Sequence, residues 1–278
     1  MKVRMVEPHS GTPSALLATL LRNRGLIRQL AWQEIAGRYR ASVLGVAWMV
    51  ITPLLMLAVY TFVFAVVFQS RWGGVGDTDK AKFAVVLFAG LAVFNLFAEC
   101  VNRAPGLIVA NSNYVKRVVF PLELLPVITL CGALFHFAAS MLVWMIASWI
   151  LIGPPPPTVL LLPLMVLPLL IGTLGLGWLL SALGVYLRDV GQVVGVVVTG
   201  LLFLSPIFYP IEAVPESVRD LIRLNPVGYM VDIARGVLVF GTLPSLAGYL
   251  IAFFSSVLLA WVGFWWFQKT RKGFADVL

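Results

Sequence analysis

The sequence predicts an all-α integral membrane protein with six transmembrane helices. An N-terminal amphipathic helix lies on the membrane surface, and two short extracytoplasmic re-entrant helices precede the last span. Three observations carry this prediction. The 278 residues are 60% hydrophobic and 12% charged, with mean hydropathy +0.97. Soluble domains carry about 25% charged residues, and a soluble surface cannot be built from half that share. The apolar residues fall in long uncharged runs, and the basic residues fall asymmetrically between them.

The uncharged runs are Ala41–Ser70, Phe83–Ala98, Leu124–Leu187, Val190–Ile211 and Gly236–Gln268, of 30, 16, 64, 22 and 33 residues. A span needs roughly 20 residues. The 64-residue run holds two spans, divided at Gly153 and the four prolines 154–157, through which no helix continues. The 33-residue run breaks at Gly241-Thr242-Leu243-Pro244. The second span reaches normal length if Lys82 snorkels and Cys100 and Val101 extend it. Residues 1–40 are then a cytoplasmic N-terminus with the surface helix. The spans lie at about 43–68, 81–101, 124–151, 159–183, 190–211 and 246–267 of a transmembrane domain 41–268, and 269–278 form a cytoplasmic tail.

Orientation follows from Lys and Arg. With the N-terminus inside, the inner segments hold fourteen of the twenty basic residues, and the six outer ones are matched by six acidic residues. Both termini are therefore expected in the cytoplasm, and the whole net charge of +8 lies on the inner side. The basic residues form no single patch, which excludes a nucleic-acid partner. No cleavable signal peptide is expected at the N-terminus, because the first 40 residues lack the apolar core it needs.

Three segments do not span. Leu26–Arg40 places Leu26, Ile27, Leu30, Ala31 and Ile35 at helical spacing, the pattern of an interfacial helix or of a simple charged anchor. Glu99–Glu123 is an inner loop of about 25 residues with helical pattern. Glu212–Pro244, on the outer side, contains two amphipathic pieces, Glu216–Leu224 and Val227–Phe240, divided by Asn225-Pro226. They form a lid or an extracytoplasmic hairpin. Asp232 and Arg235, three apart on the second piece, can pair.

The chemistry is defined by what is missing. There is no G-x-x-x-x-G-K-[ST] phosphate loop, no H-E-x-x-H and no paired-carboxylate constellation, so the chain is expected not to be an enzyme and to hold no cofactor. Cys100 and Cys131 lack metal spacing. His136 is the ionisable side chain within the uncharged runs, expected to be packed and hydrogen-bonded rather than a proton relay. Thr173, Gly177 and Ser181, and again Gly191, Gly195 and Thr199, recur every four residues, which lets helices approach closely. Aromatic residues are plentiful in spans one and five, and rings offer flat faces suited to sliding contact with sugars. These features leave open a passive channel, a secondary carrier, a subunit powered by a partner chain, or a membrane-embedded enzyme.

A family resemblance narrows the choice. Glu34-Ile35-Ala36-Gly37-Arg38-Tyr39-Arg40-Ala41-Ser42-Val43-Leu44-Gly45, then Trp48 and Pro53-Leu54, resembles the approach to span one of type-2 ABC exporter permeases. Val59-Tyr60-Thr61-Phe62-Val63-Phe64 looks like their polysaccharide-exporting branch. Lys116-Arg117-Val118-Val119-Phe120-Pro121 with Leu125-Pro126, Tyr186-Leu187-Arg188-Asp189-Val190, Ser205-Pro206-Ile207-Phe208-Tyr209-Pro210 and Asn225-Pro226 with Tyr229 follow in order. Gln33-Glu34 departs from the basic–acidic pair often found before the Arg-Tyr motif.

The resemblance implies a homodimeric permease in the bacterial inner membrane, joined to two copies of a separate ATPase subunit that binds ATP and Mg. The cargo would be a lipid-linked polysaccharide: O antigen first, capsule or teichoic acid as the alternative. It also implies site residues. Arg38, Tyr39 and Arg40 would border the substrate entrance, where positive charge meets a lipid pyrophosphate. Tyr60, Phe64, Phe203, Phe208 and Tyr209 would line a channel between protomers. Asn111, Tyr114, Lys116 and Arg117 would couple to the ATPase, and Asn225, Pro226, Asp232 and Arg235 would form the extracytoplasmic gate.

Overall fold

A computed structural model describes residues 12–39, 43–63, 80–115, 120–211 and 214–278. Those residues form helices and connecting turns. Helix α1 (Pro13–Arg22) starts with proline at its first position, where no intrahelical N–H is needed. It leads into α2 (Arg24–Tyr39), which carries the apolar stripe read from the sequence. Ala31 from that stripe is buried, with Leu26, Ile27 and Leu30 packed beside it against Leu107, Ile128 and Trp178. The surface helix is thus seated on protein as well as facing outward.

Helices α3 (Trp48–Tyr60) and α4 (Lys80–Arg103) follow. A 3₁₀ turn at Ala104–Gly106, then α5 (Leu107–Ala110) and α6 (Ser112–Val115), occupy the segment read as a partly helical inner loop. After α7 (Leu124–Leu151), Gly153 adopts φ +120 and the proline run forces a new start at α8 (Leu162–Tyr186). Helices α9 (Val190–Leu204), α10 (Glu216–Arg223), α11 (Pro226–Arg235), α12 (Leu246–Thr270) and α13 (Phe274–Val277) complete the chain.

Among the described residues, four stretches are long and apolar enough to cross a membrane: Ala81–Ala110, Leu124–Leu151, Pro157–Tyr186 and Leu246–Val277. Two more apolar helices are shorter, Trp48–Val63 and Val190–Leu204. The run expected as a fifth span over 190–211 therefore does not continue as helix to its end. Ser205 is extended because Pro206 disfavours the helical region for the residue before it, and proline itself has no N–H to donate. Absence of charge marks apolar surroundings, not helix, and Ser205–Pro210 is apolar backbone that turns.

The core is organised around α4. Phe83 to Val101 on this helix are buried on almost every side by α7, α8, α9 and α11. Helices α8 and α12 cross closely at Gly175 and Gly263, where a Cβ on Gly175 would lie 2.7 Å from the Ala260 backbone. Without a hydrophobic drive between helices in lipid, such close backbone packing supplies the van der Waals contact that joins them. In span four Thr173, Gly177 and Ser181 are buried, and Gly177 meets Pro126. In α9 the corresponding stripe behaves otherwise. Val194 and Val198 pack inward, while Gly195 has open space beside it and Thr199 is exposed, its hydroxyl turned back to the Gly195 carbonyl. Only Gly191 of that stripe meets another described helical segment, with a Cβ there 3.9 Å from Pro105.

The stretch expected as a cytoplasmic tail is packed. Phe274 is fully buried against Phe267 and Tyr186. Arg271 donates to the Glu123 carboxylate (2.6 Å) and the Phe120 carbonyl (3.1 Å), and the Trp178 indole donates to the Glu123 carbonyl (2.9 Å). These bonds tie the end of α12 to the start of α7 and to α8.

Candidate functional site

Three groups of side chains carry polar or aromatic chemistry. The first is a charge cluster where α2 meets α4 and α7. Arg38 donates to the Glu99 carboxylate and lies 2.9 Å from His136 Nδ1. Glu99 Oε2 is 3.0 Å from the same ring nitrogen. Arg103 Nη1 pairs with Glu34 Oε1 at 2.5 Å and approaches Glu99 at 3.7 Å. Glu34 and Arg38 sit four apart on α2, and Glu99 and Arg103 four apart on α4, so each pair shares one helix face. Glu34 lies against the bare backbone of Gly132.

His136 is accordingly part of a network rather than alone. Sequence reasoning does not single out Glu99 and Arg103 as site residues, and takes Glu34 only as part of a motif, because all three stand outside the uncharged runs. The available signal was their i,i+4 spacing. Arg38, expected at the substrate entrance, has its charge matched locally by Glu99 and Glu34. The Tyr39 side chain and Arg40 lie outside the described residues.

The second group is an aromatic seam. The Phe208 ring is 6.1 Å from Tyr60 and 5.7 Å from Phe203, centroid to centroid. Tyr209 donates its hydroxyl to the Phe203 carbonyl (2.8 Å), folding the turn after α9 back on the helix. Phe203 is exposed while Phe208 is buried. The structure thus brings residues from α3, from α9 and from the turn after it into contact. Phe64 lies outside the described residues. Within the protomer, a cavity between α4, α7 and α8 lined by Cys100, Thr129, Thr173 and Gly177 measures about 10 Å³, room for one water molecule at most.

The third group is the outer helix pair. No residue of α10 is buried, and Asp220 and Arg223 on it are exposed and 3.6 Å apart. Helix α11 is the opposite: Val227, Met230, Val231, Ile233, Ala234 and Arg235 are all buried. Asn225 caps it by accepting from the Val227 N–H (3.0 Å), with Pro226 in the first position, so the two residues form a rigid corner. Arg235 is 1% exposed. It donates to the carbonyls of Val86 (3.2 Å), Pro206 and Ile207 (2.5 Å), with Asp232 at 3.8 Å.

In the segment between α4 and α7, Asn111 donates to the Leu107 carbonyl (2.8 Å) and closes α5, and Tyr114 stacks on Phe120 at 4.3 Å. Lys116 and Arg117, expected to couple to an ATPase, lie outside the described residues.

Long apolar helices packed around a buried α4 define a multi-pass membrane protein. The chain matches the ABC-2 type transporter family over residues 25–239 and belongs to that family. Among its relatives is the O-antigen export system permease protein RfbA of Myxococcus xanthus, 28% identical over 263 residues, covering 94% of this chain and 98% of the relative. A protein of the same name from Klebsiella pneumoniae is 26% identical over 88% of this chain and 92% of its own. The polysialic acid transport protein KpsM of Escherichia coli is 25% identical over 77% of this chain and 81% of its own.

Proposed function

We propose that this chain is the permease subunit of an ATP-driven exporter of a lipid-linked polysaccharide, O antigen first, in the bacterial inner membrane. The observation that carries this reading is end-to-end similarity to an O-antigen export permease, over 98% of that protein's length. The lack of a phosphate loop fits it, since ATP and Mg would be bound by a partner ATPase present in two copies. The similarity to KpsM supports capsular polysaccharide as the second reading.

In this proposal the chain crosses the membrane six times with both termini cytoplasmic, and two copies pair. The exposed apolar faces of α3 with its continuation to Val63, and of α9, support pairing there: Leu55, Val59 and Phe62 on one, Val193, Val196, Val197 and Phe203 on the other. The glycan passes between protomers along Tyr60, Phe203, Phe208, Tyr209 and Phe64, a course supported by the contact of Tyr60 and Phe203 with Phe208. Arg38 fixes the end of the surface helix beside the entrance, and Tyr39 and Arg40 meet the lipid pyrophosphate. The loop through Asn111, Tyr114, Lys116 and Arg117 docks on the ATPase. The outer pair gates the exit, with α10 moving against the corner at Asn225 and Pro226 and the seated α11 that carries Asp232 and Arg235.

Deleting the gene in its host tests the proposal. Loss of surface glycan with undecorated lipid-linked polymer accumulating inside, restored by the intact gene, is expected. Reversing the charges at Lys116 and Arg117 should then release the ATPase subunit from purified complexes. Normal surface glycan in the deletion strain would refute the exporter reading.

A further inference from the structure

The structure assigns to Arg235 a task beyond membership of a gate: it is a positioning residue that holds the turn after α9, and with it the Tyr60–Phe208–Phe203 seam. This inference rests on the proposed reading of that seam as part of the glycan path. The turn creates a need. Helix α9 ends at Leu204, so the carbonyls of Pro206 and Ile207 have no intrahelical donors, and backbone outside a helix at membrane depth must be satisfied by protein. Arg235 meets both, with Nη1 on Pro206 and Nη2 on Ile207, while its Nε donates to Val86 on α4. Only a planar guanidinium presents donors in several fixed directions at once, and lysine would offer one point charge.

The rest of the molecule is shaped around this contact. Gly90 on α4 leaves the slot in which the guanidinium lies: a Cβ there would stand 2.5 Å from Nη2, 2.7 Å from Nε and 2.8 Å from Cζ. A second bond pins the same turn, from Asn225 Nδ2 at the start of α11 to Ser205 Oγ (2.9 Å). Both ends of α11 thus grip the turn, and Phe208 follows directly on the clamped Ile207. The residues Gly90, Arg235 and Phe208 are far apart in the chain and adjacent in space. Helix α11 is therefore a fixed post, and any movement of the outer pair belongs to α10.

The test uses the whole transporter, permease with ATPase subunits, in membranes. Arg235→Gln, Arg235→Lys and Gly90→Ala are introduced separately, with glycan export and ATP hydrolysis measured for each. In parallel, Tyr60→Cys and Phe208→Cys are combined with Cys100→Ala and Cys131→Ala, and a short bifunctional thiol reagent reports whether the seam is in register. Losing donors to buried carbonyls should lower crosslinking and export by about tenfold each in R235Q. Basal ATP hydrolysis and subunit assembly should stay within about twofold, R235K should restore part of both losses, and G90A should reproduce the defect with Arg235 intact.

Wild-type crosslinking in R235Q and G90A overturns the assignment, whatever the export rate. Lost crosslinking with normal export upholds Arg235 as the positioning residue and counts against the seam as the glycan path. If R235Q does not reach the membrane, R235K and G90A decide by the same two outcomes.

Discussion

Glu99 offers the sharpest energetic test of the charge cluster between α2, α4 and α7. Its carboxylate touches Arg38, stands 3.0 Å from His136 and lies 3.7 Å from Arg103. Two unit charges about 4 Å apart attract by roughly 4 kcal/mol at an effective dielectric of 20, whereas fully exposed pairs contribute about 0.2–1 kcal/mol. The side chains of Glu99 and Arg38 are 21% and 31% exposed, which places the pair between those limits. We expect Glu99→Gln and Arg38→Gln each to cost about 2 kcal/mol, because each leaves a half-buried charge facing an excess of its own sign. The double variant should cost little more than either, a coupling of about 1–2 kcal/mol. Thermal unfolding of the detergent-purified permease, alone and in the four combinations, measures this as shifts of about 2–4 °C per kcal/mol. Shifts that add to within about 0.5 kcal/mol would refute the view that α2 is held to α4 by this pair.

Other consequences follow from the packing. Gly263→Ala puts a methyl against the Gly175 carbonyl, and the α8–α12 crossing must open; we expect about 1–3 kcal/mol of destabilisation, read as a lower unfolding temperature, and no change for Gly25→Ala, which has open space. Glu123→Gln leaves the half-buried Arg271 without its carboxylate. About 3 kcal/mol should be lost and faster proteolysis after α12 should result, whereas the double replacement by apolar residues should recover much of the loss. Pro206→Ala removes one obstacle to continuing α9, and the crosslinking between residues 60 and 208 should weaken without loss of membrane insertion.

How much of this was legible in the chain differs from element to element. The proline run 154–157, the Asn225-Pro226 corner and the stripe of α2 act through neighbouring residues, and the structure carries a helix break, a helix cap and a seated face at those places. In the fifth apolar run, absence of charge marks apolar surroundings over 190–211, while Ser205-Pro206 sets where the helix stops, at Leu204. Of the candidate site, Tyr60, Phe203, Phe208 and Tyr209 were singled out through resemblance, and their contact is a matter of packing.

What the sequence alone determined is the class: too little charge for a soluble surface, and apolar runs long enough for a bilayer. Solvation acts residue by residue, so composition and order suffice to read it. Only the tertiary structure decided that Arg235 is buried on carbonyls of Val86 and Ile207, and that His136 shares Arg38 with Glu99. These partners are separated by 149, 28, 98 and 61 positions. A buried charge must find its partners where packing brings them, and no local pattern in the chain specifies that meeting.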